Sequence, residues 1–545
     1  MYNGRGNNIY SISILNIAKK RVLMAVSLFL IMFSALVARL VHVMIINGNQ
    51  LDNFYDPSIP AIISRSDIMD RNGNIIATSL PTVSLYACPH EIIGIDDSLK
   101  KLKEVFPDID IKSLKEKLLS SKKFLWIKRH LPPKKEQSVL NQGIPGFHFL
   151  RTEKRVYPDQ NLLSHVIGGT DVDNVGISGV EKVFDDTLKT SDEPLTLSID
   201  MKLQHAIHDE LQKSIAEFSA VGGAAIVMKI STGEILSMVS LPDFDPNKNY
   251  NPSDKEHFNM AISSAIEPGS SAKIFNTAMA LETGRITAFT KFDARYPIKV
   301  GRFTIHDFKG KATFLTVEEI LKFSSNIGSA KIALEVGAAE QKRFFKQIGL
   351  RDTIYCELSE GQHPIFPKYW SDVSAMTIAF GHGFALSPLH LITVIAGFLN
   401  DGMLNPPTLL KRDHPCSEKR IISSKVSKQI QALMRINVTE GANRFSDVPG
   451  YCVGGKSGTA EKQKGGRYLK HSNYCGFIGA FPMTAPKYAV YVLLDEPKAT
   501  KKTYGYATAG WIAAPTAARI IKRIGPMLGV MATFDPEPDW KKVLR

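Results

Sequence analysis

The stretch Glu267-Pro268-Gly269-Ser270-Ser271-Ala272-Lys273-Ile274-Phe275 decides how the rest of the chain is interpreted. Pro268-Gly269 interrupts the preceding structure, and a helical pattern follows. The apolar residues of that pattern are Ile274, Ala278 and Leu281. Ser270 lies in the first turn of this predicted helix, and Lys273 lies on the same face one turn later. A lysine kept neutral by the helix N-terminus and a second cation could take the serine proton, so the pair predicts a nucleophile and its base.

Composition limits the class of protein. At 545 residues the chain is long enough for two to four domains. Its net charge of +14 suits an anionic membrane surface, an anionic substrate or nucleic acid. The sequence has no zinc-finger spacing, arginine-rich run or aromatic-basic motif, so nucleic acid is not an expected partner. The cysteines are scattered, which predicts neither a disulfide framework nor a zinc site. Their odd number leaves at least one free thiol, and one disulfide bridge remains open. They are Cys88, Cys356, Cys416, Cys452 and Cys475.

An apolar segment near the N-terminus predicts a membrane anchor. Residues 22–46 carry only one charged side chain, Arg39, which could reach the far interface of the bilayer. Residues 1–21 contain basic residues and no acids, which places this tail in the cytoplasm. The alternatives are a buried helix or a cleaved signal peptide, but the apolar run is long for a signal and lacks a clear cleavage site. About 500 residues follow and are expected on the other side of the membrane.

The rest of the chain predicts an α+β protein. Residues 70–74 (Asp-Arg-Asn-Gly-Asn) form a turn signal between apolar residues 62–63 and 75–77, which predicts a hairpin. Lysine-rich residues 100–122 predict solvated helices. From residue 195 onward the pattern predicts an antiparallel sheet with helices packed on it. The predicted strands are 195–199, 224–228, 234–239, 452–461, 476–481 and 488–494, and the predicted helices include 202–218 and 508–524.

Three smaller features carry expectations of their own. The lysines of residues 462–470 predict a solvated hairpin loop beside the cleft. Cys452 and Cys475 are expected to be buried thiols rather than a disulfide. His382 lies between glycines near the predicted cleft, where packing and catalysis are both open roles.

Two further motifs follow Ser270 in order along the chain. Ser324-Ser325-Asn326 lies at a junction between two predicted helices, where a loop can present side chains to a cleft. Lys456-Ser457-Gly458-Thr459 lies in a strand-like segment. Ser-x-x-Lys alone is common on solvated helix faces. All three motifs in this order are the signature of enzymes that acylate a serine with penicillin-like substrates.

Motifs along nearly the whole chain resemble one family. They are Arg65-x-x-Ile68-x-Asp70-Arg71-Asn72-Gly73, Arg155-x-Tyr157-Pro158, Gly176-x-x-Gly179-x-Glu181, Glu267-Pro268-Gly269-Ser270, Ser324-Ser325-Asn326-Ile327-Gly328, Gly381-His382-Gly383, Ser387-Pro388 and Asp495-Glu496-Pro497. The chain resembles the class B penicillin-binding proteins, and Asn326 resembles the division branch, since the elongation branch usually has aspartate there. Ser66, Ala272 and Ser457 depart from the usual family residues. Of these, Ser66 could alter a turn, and the other two leave the chemistry intact.

The resemblance implies a fold and a domain order. It implies an α+β chain with a penicillin-binding or serine β-lactamase-like transpeptidase domain, which has an antiparallel sheet with helices on both faces. An α+β pedestal and one N-terminal transmembrane helix would precede this domain. The expected boundaries are a cytoplasmic tail 1–21, an anchor 22–46, a pedestal 47–195, a transpeptidase domain 196–530 and a C-terminal tail 531–545.

The resemblance also implies catalytic roles. Ser270 would attack the terminal D-Ala-D-Ala bond of a peptidoglycan stem peptide, and Lys273 would accept its proton. Ser324 would relay a proton toward the leaving amine, Asn326 would orient Lys273, and Lys456 would supply positive potential.

The Lys456 strand would also bind the substrate. Ser457 and Thr459, with Gly458 between them, are expected to bind the substrate carboxylate. The backbone N–H groups of Ser270 and Thr459 would form the oxyanion hole.

The resemblance implies particular partners and a location. The partners are peptidoglycan stem peptides, β-lactam antibiotics, a membrane-embedded glycan polymerase and other division proteins. The protein would be a single-pass inner-membrane protein with a periplasmic catalytic domain at the division septum. No metal or organic cofactor is expected, and the sequence lacks a His-Glu-x-x-His motif.

Several alternatives remain open at this point. Residues 450–457 match the P-loop pattern, but polar residues precede them and a poor helix former follows, so nucleotide binding is not favoured. A serine β-lactamase, a D,D-carboxypeptidase or a β-lactam-sensing receptor domain would keep the fold and change the fate of the acyl-enzyme. An inactive division scaffold is less favoured because every motif side chain is present.

Overall fold

The computed structural model describes residues 7–42, 65–120, 123–248, 254–301, 303–308, 310–412, 414, 419–465 and 467–545. Several sequence expectations fall on residues outside these ranges. They concern Cys416, the apolar pair 62–63, the ends of the tail and anchor (1–6 and 43–46) and the first part of the pedestal (47–64).

Helices and strands are interspersed along the described part of the chain. The helices are α1 (Asn7–Val41), α2 (Ile95–Val105), α3 (Ile111–Ser120), α4 (Pro133–Leu140), α5 (Ser164–Ile167), α6 (Gly179–Val183), α7 (Asp185–Thr190), α8 (Met201–Phe218), α9 (Met260–Ser263), α10 (Lys273–Glu282), α11 (Val317–Phe323), α12 (Asn326–Val336), α13 (Ala338–Gln347), α14 (Asp372–Ile378), α15 (Pro388–Leu399), α16 (Ser424–Thr439), α17 (Ala513–Met527) and α18 (Trp540–Val543). The strands are β1 (Ile68–Met69), β2 (Ile75–Ala87), β3 (Leu125–Leu131), β4 (Phe147–Val156), β5 (Gly169–Thr170), β6 (Gly176–Ser178), β7 (Leu195–Thr196), β8 (Gly222–Lys229), β9 (Ile235–Leu241), β10 (Lys291–Asp293), β11 (Ile298–Val300), β12 (Phe303–Ile305), β13 (Phe314–Thr316), β14 (Met403–Leu404), β15 (Lys419–Arg420), β16 (Gly454–Lys464), β17 (Arg467–Phe481) and β18 (Tyr488–Asp495).

The chain divides into two compact units. The first unit comprises Met1–Ile62, Leu85–Ile127 and Gln137–Phe149. The second unit comprises Ile63–Ser84, Lys128–Glu136 and Leu150–Arg545. The long strands β2, β3 and β4 contribute residues to both units.

The first unit contains one apolar helix and a small helical layer. Residues Ile17–Val41 of α1 are long and apolar enough to cross a membrane, as expected from the sequence. Helices α2 and α3 are amphipathic and bury leucines on one side, which confirms helices in the lysine-rich region. Their buried leucines are Leu99, Leu102, Leu114 and Leu118. Residues 106–110 separate the two helices.

A five-stranded antiparallel sheet organises the second unit. Its strand order is β16-β17-β18-β8-β9, with helices packed on both faces. Phe477, Val492 and Ala225 share one row across three strands and belong to the core that contains α8 and α17. The next row, Ile478, Tyr491 and Ile226, belongs to the opposite core, which contains α10 and α15. The alternation of a pleated strand thus fills two cores, and the predicted fold class is confirmed.

The pedestal strands differ in detail from the predicted ones. The turn at residues 70–74 is present, and Asp70 accepts hydrogen bonds from the backbone of Asn72 and Asn74 at 2.8 Å each. The partner of β2 across this turn is β1, which also pairs in parallel with β7. Strand β7 is shorter than the predicted 195–199 because the Ser198 amide bonds instead to the Leu409 carbonyl.

Two boundaries near the C-terminus were predicted wrongly. The loop predicted at residues 462–470 is wrong, because β16 continues to Lys464 and β17 begins at Arg467. Lys462 is held in this ladder by ion pairs to Asp495 (2.8 Å) and Glu496 (3.0 Å). The last long helix begins at Ala513 rather than at residue 508, and Pro515 occupies its first turn, where proline is tolerated.

The described cysteines are thiols. Cys452 and Cys475 are buried and unbridged, as predicted, and Cys88 and Cys356 are also free of disulfide bonds. Burial raises the pKa of the Cys475 thiol to about 12.

Candidate active site

Two glycines allow the Ser270 stretch to lie against strand β16. Residues Gly269–Ala272 form a short 3-10 turn that leads into α10 at Lys273. Gly269 has a φ of +52°, and a Cβ there would lie 2.6 Å from the Thr459 carbonyl oxygen. A Cβ on Gly458 would lie 2.2 Å from the Pro268 carbonyl oxygen. Only glycine permits such a close approach at either position. The resulting packing of the two segments places Ser270 beside Thr459.

Four predicted site residues meet in one polar cluster. The Lys273 amine lies 2.7 Å from the Ser270 hydroxyl, 2.7 Å from the Asn326 side-chain oxygen and 3.3 Å from the Ser324 hydroxyl. The hydroxyls of Ser324 and Ser270 are 3.0 Å apart. Ser270, Lys273 and Ser324 therefore form a closed triangle through which a proton can pass.

The surroundings of Lys273 favour its neutral form. Its side chain is buried, with 1% of the residue exposed. Burial, and secondarily the charge of Lys456, lower the pKa of Lys273 well below its ordinary value, while Asp307 opposes the shift. The neutral amine has a lone pair that can accept the Ser270 proton.

Asp307 is a site residue that the sequence did not reveal. Its carboxylate accepts hydrogen bonds from the backbone N–H of Asn326 (2.5 Å) and Ile327 (3.0 Å) and from the Ser325 hydroxyl (2.7 Å). A carboxylate is favourable at the N-terminus of α12, where amides lack intrahelical partners. Asp307 thereby fixes the start of α12 and with it the side chain of Asn326. No local motif marks Asp307, since its partners lie about 20 residues away.

Asn326 and Ser324 receive further support from the same junction. The Asn326 amide nitrogen donates to the His306 carbonyl at 3.1 Å, which leaves its side-chain oxygen facing Lys273. Ser324 ends α11 in the left-handed conformation with a φ of +59°. Ser325 caps α12 by accepting from the Gly328 amide at 2.9 Å. The helix junction expected around this motif is confirmed.

Lys456 joins the site through its charge rather than through the hydrogen-bonded cluster. It lies on β16 with 1% of the residue exposed, and burial lowers its pKa to about 7. Its amine donates to the Ser457 carbonyl at 3.1 Å. Near neutral pH this group is therefore poised between its charged and neutral forms.

Asparagines fix the edge strand on which Lys456 lies. The Asn443 side-chain oxygen accepts from the Ser457 amide at 3.0 Å, and the Asn437 side chain donates to the Gly455 carbonyl at 2.6 Å. Strand β16 is the outer strand of its sheet, so these contacts satisfy backbone groups that no neighbouring strand reaches.

Ser457 and Thr459 lie on the same face of β16, as alternate residues of a strand do. Both are half-buried. The Thr459 hydroxyl accepts a hydrogen bond from the Ala509 amide at 2.9 Å, which fixes its position.

Because β16 runs straight through Lys456 into further strand residues, the strand-loop-helix geometry of a P-loop is absent from residues 450–464, and the nucleotide-binding alternative is wrong.

Glu267 belongs to the motif that leads into Ser270, but no role was expected for it from the sequence. Its carboxylate accepts from the Gly383 amide (2.8 Å) and the Gln463 side chain (2.8 Å), and from the Tyr468 hydroxyl at 3.2 Å. His382 lies 3.1 Å from the same carboxylate. Glu267 therefore ties the β16–β17 hairpin and the turn at His382 to the stretch that carries Ser270.

Comparisons with known proteins agree with this fold and site. The family described as "Penicillin binding protein transpeptidase domain" matches residues 223–522, and the "Penicillin-binding Protein dimerisation domain" matches residues 60–206. The "Probable peptidoglycan D,D-transpeptidase FtsI" of Caulobacter vibrioides is 36% identical over 86% of this chain and 82% of its own length. The "Probable peptidoglycan D,D-transpeptidase PenA" of Neisseria meningitidis is 31% identical over 94% of this chain and 93% of its own length.

A solved structure shares the fold at low identity. Penicillin binding protein 3 from Mycobacterium tuberculosis, complexed with aztreonam, superposes with a TM-score of 0.69 and 21% identity, over 87% of this chain and 98% of that one. The fold and the matched domains define a penicillin-binding transpeptidase domain preceded by a dimerisation-type domain. The chain belongs to the penicillin-binding protein family, and within it to the FtsI-like class B members. The matched ranges end at other positions, so the expected domain boundaries at residues 195 and 530 stay predictions.

Proposed function

We propose that this chain cross-links peptidoglycan stem peptides as a D,D-transpeptidase, through an acyl-enzyme on Ser270. The observation that carries the assignment is the buried Lys273 amine, 2.7 Å from the Ser270 hydroxyl and with a strongly lowered pKa. The names of the FtsI and PenA relatives support the reaction, and the aztreonam complex of a structural neighbour supports inhibition by β-lactams.

In the acylation step, the Ser270 oxygen attacks the carbonyl carbon between the two terminal D-alanines while Lys273 accepts its proton. The carbonyl oxygen becomes negative and is stabilised by the N–H groups of Ser270 and Thr459. The close packing of Gly269 against Thr459 supports this pairing, since a Cβ on Gly269 would lie 3.1 Å from the Thr459 nitrogen. The peptide C–N bond then breaks, and Ser324 passes the proton to the departing D-alanine amine.

Substrate binding is assigned to the β16 strand. The terminal D-alanine carries a carboxylate, which the Lys456 charge attracts and which the hydroxyls of Ser457 and Thr459 bind. Gly458 leaves room for the substrate backbone and for the Ser270 stretch, because a side chain there would clash with Pro268. Asn326 holds Lys273 in position through its contact at 2.7 Å.

In the second step, an amine of another stem peptide attacks the ester carbonyl on Ser270. The new amide bond forms, the C–O bond to Ser270 breaks, and the proton from the amine returns to the serine oxygen through Lys273 and Ser324. The enzyme is regenerated without a net change in charge. None of these steps draws on a metal or an organic cofactor.

Intact-protein mass spectrometry of the full chain in detergent with benzylpenicillin tests the nucleophile. We expect one long-lived adduct on the wild-type chain and none on Ser270→Ala. Ser263→Ala is the matched control and should still acylate, because Ser263 bonds to the Glu360 carbonyl outside the cluster. Rapid drug hydrolysis without an adduct would indicate a β-lactamase instead. Absence of both adduct and hydrolysis would indicate an inactive scaffold.

A second assay separates a transpeptidase from a carboxypeptidase. Glycan strands with D-Ala-D-Ala stem peptides are incubated with the chain and analysed for cross-linked dimers. Transfer to an amine, giving dimers that Ser270→Ala does not form, supports the proposal. Release of D-alanine with only hydrolysed monomers would show that water is the acceptor.

The protein is a membrane-anchored, division-type penicillin-binding protein, given α1 and its FtsI-named relatives. We further assign the N-terminus to the cytoplasm and the catalytic part to the periplasm at the septum, because Lys19, Lys20 and Arg21 flank the apolar part of α1. A membrane-embedded glycan polymerase and other division proteins are the assigned partners. Protease added to spheroplasts should remove the penicillin-binding part. Protection of that part would contradict the orientation.

A further inference from the structure

Three potential metal ligands meet in the first unit, on segments that the proposed chemistry does not use. They are the Cys88 sulfur, the Glu91 carboxylate and the His148 imidazole, whose ligand atoms all lie within 4.8 Å of one another. The His148 Nε2 atom is 2.6 Å from a Glu91 oxygen. Thiolate, imidazole and carboxylate are the ligands that zinc takes in proteins.

The backbone brings these side chains together independently of any ion pair between them. The Cys88 amide donates to the Gly146 carbonyl at 2.8 Å, and the Glu91 amide donates to the Cys88 carbonyl at 2.9 Å. Gly146 has a φ of +78°, and a Cβ there would lie 2.9 Å from the Glu91 carbonyl carbon. Glycine is therefore required where the segment that carries His148 passes the segment that carries Cys88 and Glu91.

The orientation of His148 is also supported. The Tyr86 ring lies 5.4 Å from the His148 ring, between centroids, at an interplanar angle of 31°. His148 is the second residue of β4, whereas Cys88 precedes and Glu91 ends a short 3-10 turn after β2. The ligands thus come from two segments 57 residues apart, a separation that no short zinc-binding pattern contains.

We propose that Cys88, Glu91 and His148 bind one zinc ion that clamps these two segments of the first unit. Cys88 binds as the thiolate, so binding releases its thiol proton, and the His148 imidazole and the Glu91 carboxylate bind through their lone pairs. The fourth tetrahedral position is taken by water or by His90, whose Nε2 atom lies 3.6 Å from Glu91. The zinc is structural, and the Ser270 chemistry does not depend on it.

Metal titration of the full chain in detergent tests the site, after treatment with a chelator. Cobalt is the spectroscopic probe, because a cobalt–thiolate bond gives a near-ultraviolet charge-transfer band. We expect one cobalt per chain with this band and displacement of the cobalt by zinc. Cys88→Ser should abolish the band, and His148→Gln should weaken zinc binding at least about tenfold.

Cys356→Ser is the matched control, because this half-buried thiol lies in the second unit and burial raises its pKa to about 12. This variant should keep both the band and the zinc affinity. Zinc should also raise the melting temperature of the wild-type chain, and at the same zinc concentration it should raise that of His148→Gln by less. His148 is partly exposed, with 41% of its side chain accessible, so its replacement tests the site even if Cys88→Ser fails to fold.

Two results would overturn the zinc site. One is the absence of a cobalt–thiolate band in the wild-type chain. The other is a band that persists in Cys88→Ser with unchanged zinc affinity in His148→Gln. Acylation of Ser270 by benzylpenicillin, measured on the same samples, reports on the catalytic part separately, so failure of the zinc site is distinguishable from failure of the proposed function.

Discussion

The buried arginines Arg65 and Arg155 both contact the carboxylate of Glu181. The buried lysines Lys273 and Lys456, in contrast, have no ion pair among the described residues. Glu181 lies 2.6 Å from Arg65 and 2.6 Å from Arg155, and these side chains are at most 1% exposed. Asp185 also contacts Arg65. Both clusters belong to the second unit.

The two clusters differ in whether an opposite charge offsets the free-energy cost of removing their charges from water. In the Glu181 cluster the cost is offset by opposite charges in contact, and these ion pairs join the segments that contain Arg65, Arg155 and Glu181. In the Ser270 cluster no anion offsets the cost, so burial lowers the pKa of both lysines, and that of Lys273 is lowered further by the charge of Lys456. The paired charges therefore connect segments of the fold, whereas the unpaired lysines gain reactivity from their lowered pKa.

Replacing Lys273 by a cation that cannot lose its proton should have the largest effect. Lys273→Arg retains a positive charge and removes the proton acceptor, so the rate of acylation by benzylpenicillin should fall about 10³-fold. Lys322→Arg, on a lysine paired with Glu318 and Glu440, should acylate normally. Stopped-flow acylation measures both variants. Near-normal acylation of Lys273→Arg would show that Lys273 is not the base.

Removing the central anion of the paired cluster should affect stability and leave the chemistry intact. Glu181→Gln leaves Arg65 and Arg155 buried without their carboxylate, so the free energy of unfolding should fall by about 3–5 kcal/mol. The exposed Glu193→Gln is the control and should change it by less than about 0.5 kcal/mol. Denaturant unfolding measures the change. The idea fails if Glu181→Gln unfolds like the wild-type chain, or if its folded fraction acylates more slowly.

The charge on Lys456 should appear in the pH dependence of acylation. Its pKa of about 7 means that the cation predominates below that pH and is lost above it. The acylation rate should therefore fall as pH rises through about 7, approaching tenfold per pH unit, because the substrate carboxylate loses its attraction. In Lys456→Arg the cation persists, and this fall should disappear whatever the absolute rate. An identical fall in both proteins would assign it to another group.

Asp307 provides the smallest expected effect. Asp307→Ala removes the acceptor at the start of α12, so Asn326 loses its fixed position. Loss of a helix cap costs about 1 kcal/mol, so acylation should slow about tenfold. Asp307→Asn keeps an acceptor oxygen and should retain most of the activity. The second-order acylation rate constant distinguishes the two variants. Equal rates in Asp307→Ala and the wild-type chain would show that Asn326 is held without Asp307.

The fold class and the three motifs could be predicted because each has a local signature. Helix α8, the β8–β9 hairpin and the turn before α10 follow from hydrophobic periodicity and turn residues within a few positions. The β16–β17 extension was missed because its lysines suggest a loop. In the structure, the ladder and the ion pairs of Lys462 outweigh that local preference.

The sequence by itself determined which residues carry the chemistry: Ser270, Lys273, Ser324, Asn326 and Lys456 are recognisable by type, order and spacing. Only the tertiary structure decided their state. The low pKa of Lys273 requires burial beside Lys456, 183 positions along the chain from it.

The roles of Asp307 and Glu267, and the meeting of Cys88 with His148, likewise depend on contacts between distant segments. Burial and hydrogen bonding are set by what surrounds a group in space. The chain neighbours of a residue reveal its type and its local conformation, and they leave that environment open.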